Sequence, residues 1–169
     1  MRQNLFDPPL SGGATFSADN LHRMLLWRTW EPTLPLLVWC LLNPSVAGAD
    51  TDDLTLAKCI GFARRNGYGR VLLVNLFTLV STNPDNLASR VPTANTTDAD
   101  HHLRWAARQP HSRVAVGWGS KPWAQDRARH VLQLLRTNTE LTLCCLGTCK
   151  DGSPKHPSRL GYDTPPREL

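Results

Sequence analysis

LLVWCLLNPS, residues 36–45, sets the fold class of this chain. Its apolar run, 36–42, is followed at once by Asn43-Pro44. A short, uninterrupted apolar run that stops at a turn signal is typical of a strand buried on both faces, as in a parallel sheet. We therefore predict that the run forms the first central strand and that Asn43 lies in the loop at its carboxyl end.

The chain after this strand alternates between helical and strand patterns. Apolar residues between 53 and 66 recur near a helical period, with acidic residues at the start and Gly67 just past the end, which predicts a helix. Residues 70–76 form a second apolar run, and the order strand, helix, strand is typical of a right-handed crossover between parallel strands. Further patterns predict helices over 99–109 and 123–136 and strands over 114–118 and 141–146.

Four segments fall outside this alternation. Residues 1–20, with two prolines and two glycines, predict an irregular lead-in, and 23–30 predicts an edge strand. Residues 81–98 predict a long surface loop, and 147–169 predict a loop-rich C-terminal segment that carries His156. The whole chain is predicted to form one α/β domain, a three-layer α/β/α sandwich around a central, mostly parallel four-stranded sheet.

The composition suits a single-domain protein with a polyanionic partner. The chain has 169 residues and 41% hydrophobic content, enough for one core. Its 19 Lys plus Arg against 14 Asp plus Glu leave a net charge of +5, which favours nucleic acid without requiring it. The longest apolar run is too short for a membrane span of about 20 residues, and residues 1–10 lack the apolar segment of a secretory signal.

The cysteines bear on compartment and metal binding. Five cysteines without a repeated spacing favour reduced thiols in the cytoplasm over a disulfide framework. Cys145, Cys149 and His156 are zinc-ligand types, but their spacing matches neither a zinc nor an iron–sulfur pattern. We predict a cytoplasmic monomer with no metal and no cofactor.

Short polar motifs follow the predicted strands. They are Asn43-Pro44-Ser45, Asn75-Leu76-Phe77, Trp118-Gly119-Ser120 and, after a longer loop, His156-Pro157-Ser158. Ligands of open α/β sheets bind at the carboxyl ends of the strands. We therefore expect all four motifs to converge on one cleft.

This succession of motifs resembles the uracil-DNA glycosylase superfamily in content and in order. Residues 36–160 also resemble, more closely, an uncharacterised bacterial and phage domain family. That family shares a Leu-Asn-Pro-Ser loop, an Asn-Leu-Phe strand end and a terminal Gly-x-Pro-x-His-Pro block, all present here. The superfamily resemblance implies a glycosylase-like fold and hydrolysis of an N-glycosidic bond in DNA.

The resemblance also implies roles for individual residues. Asn43 falls where the superfamily orients the attacking water, and Asn75 where an amide reads the edge of a flipped base. His156 matches the histidine that donates a hydrogen bond to a base oxygen, and Leu160 matches the leucine that wedges into the duplex. Further contacts are expected from Ser45 and Phe77 to the base, and to DNA from Ser120, Lys155, Ser158 and Arg159.

The chemistry agrees with these roles. Cleaving an N-glycosidic bond builds positive charge on the sugar and negative charge on the departing base, so the site must hold an anion, as a positioned imidazole N–H does. The base must first be flipped from the duplex, and an apolar wedge can fill the space. The Asn43 amide orients water but cannot deprotonate it; if a general base is needed, Asp50, Asp52 and Asp53 are the candidates, with Asp53 first.

Each of these residues also has a purely structural interpretation. Asn43 can simply end a strand before a proline, and Asn75 can satisfy backbone groups at a strand end. His156 can be a surface residue, Leu160 ordinary packing, and the aspartates a charge cluster at a helix start.

The predicted function is a monofunctional DNA glycosylase. It would release a flipped uracil-like or modified pyrimidine base, such as those of phage DNA, and leave an abasic site; a role in phage defence would follow from a modified base. The alternatives are a hydrolase or transferase acting on nucleosides or nucleotides, and a catalytically silent nucleic-acid-binding domain.

Overall fold

The computed structural model describes residues 11–110, 112–138 and 140–169. Its strands are β1 (Ser11–Phe16), β2 (Arg23–Thr29), β3 (Leu36–Leu41), β4 (Arg70–Asn75), β5 (Ser112–Val116), β6 (Leu143–Cys145) and β7 (Arg167–Glu168). Its α-helices are α1 (Leu54–Arg65), α2 (Ala99–Ala107) and α3 (Gln125–Arg136). Shorter 3-10 helices span Pro84–Thr93, Pro122–Ala124 and Pro157–Arg159.

The sheet is mixed, and its central strands run parallel. The strand order is β1-β2-β4-β3-β5-β6-β7. β4, β3, β5 and β6 pair in parallel, whereas β1 and β2 extend one edge and β7 the other in antiparallel orientation. The mixed α/β class is confirmed. The prediction of a four-stranded sheet is wrong, because further strands extend it on both sides.

β1 lies inside the segment 1–20, for which the sequence predicted an irregular lead-in; residues 1–10 lie outside the described residues. β1 pairs antiparallel with β2 along its length. Gly12 and Gly13 let the side chains of Arg28 and Trp27 lie across β1, where a Cβ would collide with them. The glycines therefore mark close packing rather than irregular backbone, and β2 is an inner strand rather than the predicted edge strand.

The side chains of the central strands alternate between two cores. Those on one face pack with α1, and those on the other pack with α2 and α3. In β3, Trp39 belongs to the α1 core and Val38 to the core beneath α2 and α3. Because β3 is buried on both faces, its sequence is an unbroken apolar run.

The predicted boundaries of α1 agree with its caps. The Asp53 carboxylate accepts a hydrogen bond from the Leu56 backbone N–H at 2.8 Å, which satisfies a free amide of the first turn. Asn66 closes the other end, and Gly67 follows with a φ of +80° that favours glycine. Part of the predicted loop 81–98 is instead the 3-10 helix Pro84–Thr93, which starts because the Asn83 side chain accepts from the Asp85 backbone N–H at 3.0 Å.

The connections reverse direction around β3. The chain passes from β3 through α1 to β4 on one side, and then through α2 to β5 on the other side of β3. Such a reversal opens a crevice at the carboxyl ends of the strands, where ligands bind in open α/β sheets.

The C-terminal segment returns to α1. Lys58 donates to the Leu160 carbonyl at 2.8 Å. The ring of Tyr162 packs on Phe62 and lies so close to α1 that Gly61 leaves no room for a Cβ. These contacts hold the end of the chain beside the crevice. Within the described residues, no helix has both the length and the apolar character needed to cross a membrane.

Candidate active site

A cavity of about 710 Å³ lies at the carboxyl ends of the central strands. Its walls come from the segments that follow β3, β4, β5 and β6, together with the start of α1. The lining residues are Leu42, Asn43, Ser45, Thr55, Ser81, Thr82, Pro84, Trp118, Gly119, Ser120, Lys121, Cys149, Lys155, His156, Ser158, Arg159 and Leu160. Three of the four predicted motifs therefore meet here, while the motif of residues 75–77 does not reach the cavity wall.

Close backbone packing brings the segment around His156 to the carboxyl ends of the strands. The backbone N–H of Gly119 donates to the Pro154 carbonyl at 2.8 Å, and that of Lys155 donates to the Gly147 carbonyl at 2.9 Å. A Cβ on Gly117 would stand 3.0 Å from Cδ of Pro157, tighter than ordinary packing. The glycines after β5 thus let the segment around His156 lie directly on the end of the sheet.

His156 is a partly buried, uncharged imidazole. The pKa of His156 is lowered to about 4, mainly by burial and in part by charge repulsion from Arg159, while Asp53 opposes the shift. A histidine with this pKa is neutral at pH 7.

The hydrogen bonds of His156 determine which ring nitrogen carries the proton. Nδ1 accepts from the backbone N–H of Ser158 at 3.3 Å and lies 2.7 Å from the Ser158 hydroxyl. A backbone N–H only donates, so Nδ1 is the unprotonated nitrogen and the proton resides on Nε2. Nε2 has no hydrogen-bond partner among the described residues, which leaves the Nε2–H for a ligand in the cavity.

The side chain of Asn43 is oriented just as firmly. Its amide nitrogen donates to the carbonyl of Pro44 at 2.9 Å and to that of Ser81 at 2.8 Å. Both donor hydrogens are thereby used. Oδ1, for which the described part of the chain offers no donor, remains as an acceptor at the cavity wall.

The cavity wall is cationic and rich in hydroxyl groups. None of the described residues that line it is Asp or Glu, whereas Lys121, Lys155 and Arg159 contribute positive charge. Two solvent-exposed carboxylates are bonded to lining residues: Asp85 pairs with Lys121 at 2.6 Å, and Asp151 accepts from the Ser120 hydroxyl at 2.6 Å. Such a wall suits an anionic ligand or one with many hydrogen-bond acceptors.

Asn75 does not line the cavity, contrary to the expectation that it reads a base there. Its position in β4 places its side chain on the same face as Val71 and Leu73, which pack with α1. It is buried, with 4% of its surface exposed, and its Oδ1 lies 3.5 Å from a guanidinium nitrogen of Arg23. The alternation of the strand decided this placement, and the apolar neighbours of Asn75 already pointed to a buried amide.

Phe77 and the aspartates are also absent from the cavity wall. Phe77 is buried in the other core and packs on Trp123 with ring centroids 5.5 Å apart. Asp53 caps α1 and acts on His156 only through its charge. Asp52 pairs with Arg28 at 2.7 Å, and Asp50 is exposed. The described lining residues therefore include no carboxylate that could act as a general base inside the cavity.

Sequence reasoning missed two buried arginines that hold the loop after β3. Arg23 and Arg28 each have 3% of their surface exposed. Arg23 donates to the Ala47 carbonyl at 2.6 Å and Arg28 to the Gly48 carbonyl at 2.7 Å. Burial lowers the pKa of Arg23 to about 10, which still leaves it charged at pH 7. The signal available in the sequence was that both arginines lie within the predicted strand of residues 23–30.

The sequence pattern of the family described as "Protein of unknown function (DUF1643)" matches residues 23–158. The chain belongs to this family. The matched region runs from β2 into the 3-10 helix that follows His156, and it includes the lining residues Asn43, Lys155, His156 and Ser158. No curated protein matches the chain, and no solved structure does.

The family match ends two residues before Leu160. Leu160 lines the cavity but is half-buried against the α1 core. Other lining residues were not singled out as site residues from the sequence: Leu42, Thr55, Ser81, Thr82, Pro84, Lys121 and Cys149. Their common signal is that most follow the end of a strand.

Proposed function

We propose that this protein is a DNA glycosylase of the uracil-DNA glycosylase type, which hydrolyses the N-glycosidic bond of a flipped pyrimidine-type base. One observation carries the proposal. A neutral His156 with a free Nε2–H and an oriented Asn43 Oδ1 line one cavity whose described lining residues include no carboxylate.

His156 acts on the leaving base. The bond between C1′ and the base nitrogen breaks with both electrons going to the base, which departs as an anion. Because its pKa is about 4, the imidazole donates a hydrogen bond from Nε2 without being charged. Donors of this kind that are fixed in place stabilise developing negative charge, and losing one costs about 100- to 1,000-fold in rate.

Asn43 acts on the water. Its Oδ1 accepts a hydrogen bond from a water molecule and directs the water oxygen toward C1′, where the new bond forms. The proton then passes from the water to solvent or to the released base. With no carboxylate among the described lining residues, the proposed reaction depends on stabilising the leaving group rather than on strong general-base catalysis. Asp53 contributes negative charge near His156 from behind the wall.

The proposed substrate is uracil or a larger, modified pyrimidine. Cavities of about 300 to 1,000 Å³ bind whole small-molecule ligands, and this one is about 710 Å³. The hydroxyl-bearing residues Ser45, Ser81 and Thr82 line it. Modified bases of phage DNA belong to this substrate class, and excising them would act in phage defence.

The test is an alkaline-cleavage assay for abasic sites. Duplex and single-stranded DNA carrying uracil, hydroxymethylcytosine or glucosylated hydroxymethylcytosine are incubated with wild type, Asn43→Ala and His156→Ala. His101→Ala is the matched control, because His101 is exposed on α2 and does not line the cavity. We expect one substrate to be cleaved by wild type and His101→Ala, with at least about a 100-fold loss in His156→Ala. Intact DNA under every condition would reject the proposal.

A nucleotide-acting hydrolase or transferase is the second candidate. The observation in its favour is that Lys155 and Arg159 give the cavity wall positive charge suited to the phosphates of a free nucleotide. It predicts that mononucleotides are consumed while DNA is not. DNA binding without any product would instead favour a catalytically silent binding domain.

A further inference from the structure

Leu54 and Val46 are the most exposed large hydrophobic side chains of the described residues, with 68% and 59% of their surface exposed. Leu54 immediately precedes Thr55, and Val46 immediately follows Ser45; Thr55 and Ser45 both line the cavity. We call Val46 and Leu54 the apolar rim. Its two members lie on either side of one loop, next to the cavity wall.

Hydrogen bonds from two arginines of β2 support the loop between Val46 and Leu54. Arg23 and Arg28 donate to the backbone carbonyls of residues 47 and 48, and Arg28 also pairs with Asp52. The backbone N–H of Gly48 donates to the Thr51 carbonyl at 2.9 Å. A segment held in this way loses little entropy when it binds a partner. Val46 and Leu54 therefore offer exposed apolar surface on a supported loop, each next to a residue that lines the cavity.

We propose that the apolar rim contacts the bases of DNA next to the nucleotide held in the cavity. This inference rests on the proposed function. Its partner follows from charge complementarity, because the exposed cations Lys155 and Arg159 line the same cavity without any carboxylate among the described lining residues. Phosphates match the cations, and the faces or vacated stacking space of bases match the apolar rim.

The apolar rim is better placed for this contact than Leu160. Leu160 is half-buried against the α1 core, and its carbonyl accepts from Lys58 at 2.8 Å. Most of its apolar surface is therefore engaged within the protein. The side chains of Val46 and Leu54, by contrast, project most of their surface into solvent.

The test measures binding of two fluorescein-labelled duplexes, one with a tetrahydrofuran abasic analogue and one fully paired, by fluorescence anisotropy over a salt series. The variant is Val46→Ser/Leu54→Ser. Leu34→Ser is the matched control, because Leu34 is an exposed leucine located before β3, at the sheet end opposite the cavity. Thermal melting verifies that each variant is folded, as expected for exposed positions.

We expect the double variant to bind the abasic duplex about tenfold more weakly, equivalent to about 1.4 kcal/mol, and Leu34→Ser to bind as wild type does. The slope of affinity against salt should not change, since no phosphate contact is removed. Unchanged affinity in the double variant would overturn the inference, and so would a wild type that binds neither duplex.

The abasic-site assay separates this inference from the proposed function. If wild type shows binding that depends on the apolar rim but releases no base, the proposed activity fails and the inference stands. If wild type releases a base and the double variant binds and cleaves as well as wild type, the inference fails and the activity stands.

Discussion

The side-chain nitrogen of Asn43 donates to the backbone oxygen of Ser81 at 2.8 Å. This bond joins the loop after β3 to the segment after β4, across the edge where the two parallel strands end. The bond fixes the orientation of the Asn43 amide. Both amide hydrogens are donated to carbonyls, so the side-chain oxygen of Asn43 is the atom left to accept from water.

Replacing Asn43 with aspartate should destabilise the protein at neutral pH. A carboxylate cannot donate, so in Asn43→Asp it would face the carbonyls of Pro44 and Ser81 without a hydrogen. We expect a loss of about 2 kcal/mol, or a melting temperature lower by about 4–8 °C, measured by circular dichroism at pH 7. The difference should shrink near pH 4, where the acid regains a donor. Equal melting temperatures at pH 7 would contradict this orientation of the amide.

The low pKa of His156 predicts a pH dependence of stability. The unfolded chain takes up a proton at its ordinary value of 6.5, while the folded chain resists until about pH 4. The contribution of neutral His156 to the free energy of unfolding should therefore be fully present above pH 6.5. It should be lost as the pH falls toward 4, by up to about 3 kcal/mol. Urea unfolding of wild type and His156→Gln between pH 4 and 8 measures this. A slope that remains unchanged in His156→Gln would show that other groups cause it.

The same pKa predicts the pH dependence of activity. If neutral His156 stabilises the leaving base, its contribution to the rate should stay constant from pH 8 down to about pH 5. It should decline only near pH 4, where a proton on Nδ1 displaces the Ser158 N–H that orients the ring. Single-turnover rates of base release across this range test it. A decline centred near pH 6.5 would mean that the imidazole is not held in its neutral form.

Ser158 should position His156 through its hydroxyl. Ser158→Ala keeps the backbone N–H that defines the tautomer and removes the second contact to Nδ1. We expect about a tenfold lower rate, equivalent to about 1.4 kcal/mol, with the proton still on Nε2 as read from ¹⁵N shifts of the His156 ring. An unchanged rate combined with weaker DNA binding would assign Ser158 to DNA contact alone.

Two variants at Asp53 separate its cap from its charge. Asp53→Ala removes the acceptor for the Leu56 N–H and should cost about 1 kcal/mol of stability. Asp53→Asn keeps an acceptor, so it should melt close to wild type, and its rate of base release should fall less than tenfold if Asp53 acts only from behind the wall. A loss of 100-fold or more in Asp53→Asn would make Asp53 the general base after all.

Local patterns predicted most of the elements that position the site. The apolar run of residues 36–42 predicted β3 because a strand covered on both faces has no polar side. The caps of α1 were readable in Asp53 and Gly67, since capping depends on residues close in sequence. The prediction of an irregular segment at the start of the chain was wrong for β1. Gly12 and Gly13 make room for side chains of β2 that lie across them, and a local sequence pattern does not reveal such a contact between strands.

For the site, the sequence alone was sufficient to nominate Asn43 and His156, because each sits in a short motif after a strand. The tertiary structure was needed to bring them to one cavity and to exclude Asn75, Phe77 and Asp53 from its wall. The physical reason is that strand alternation and helix packing, rather than motif identity, determine where a side chain points. Contacts between distant residues, such as Asn43 with Ser81 and Arg23 with Ala47, likewise exist only once the sheet has assembled.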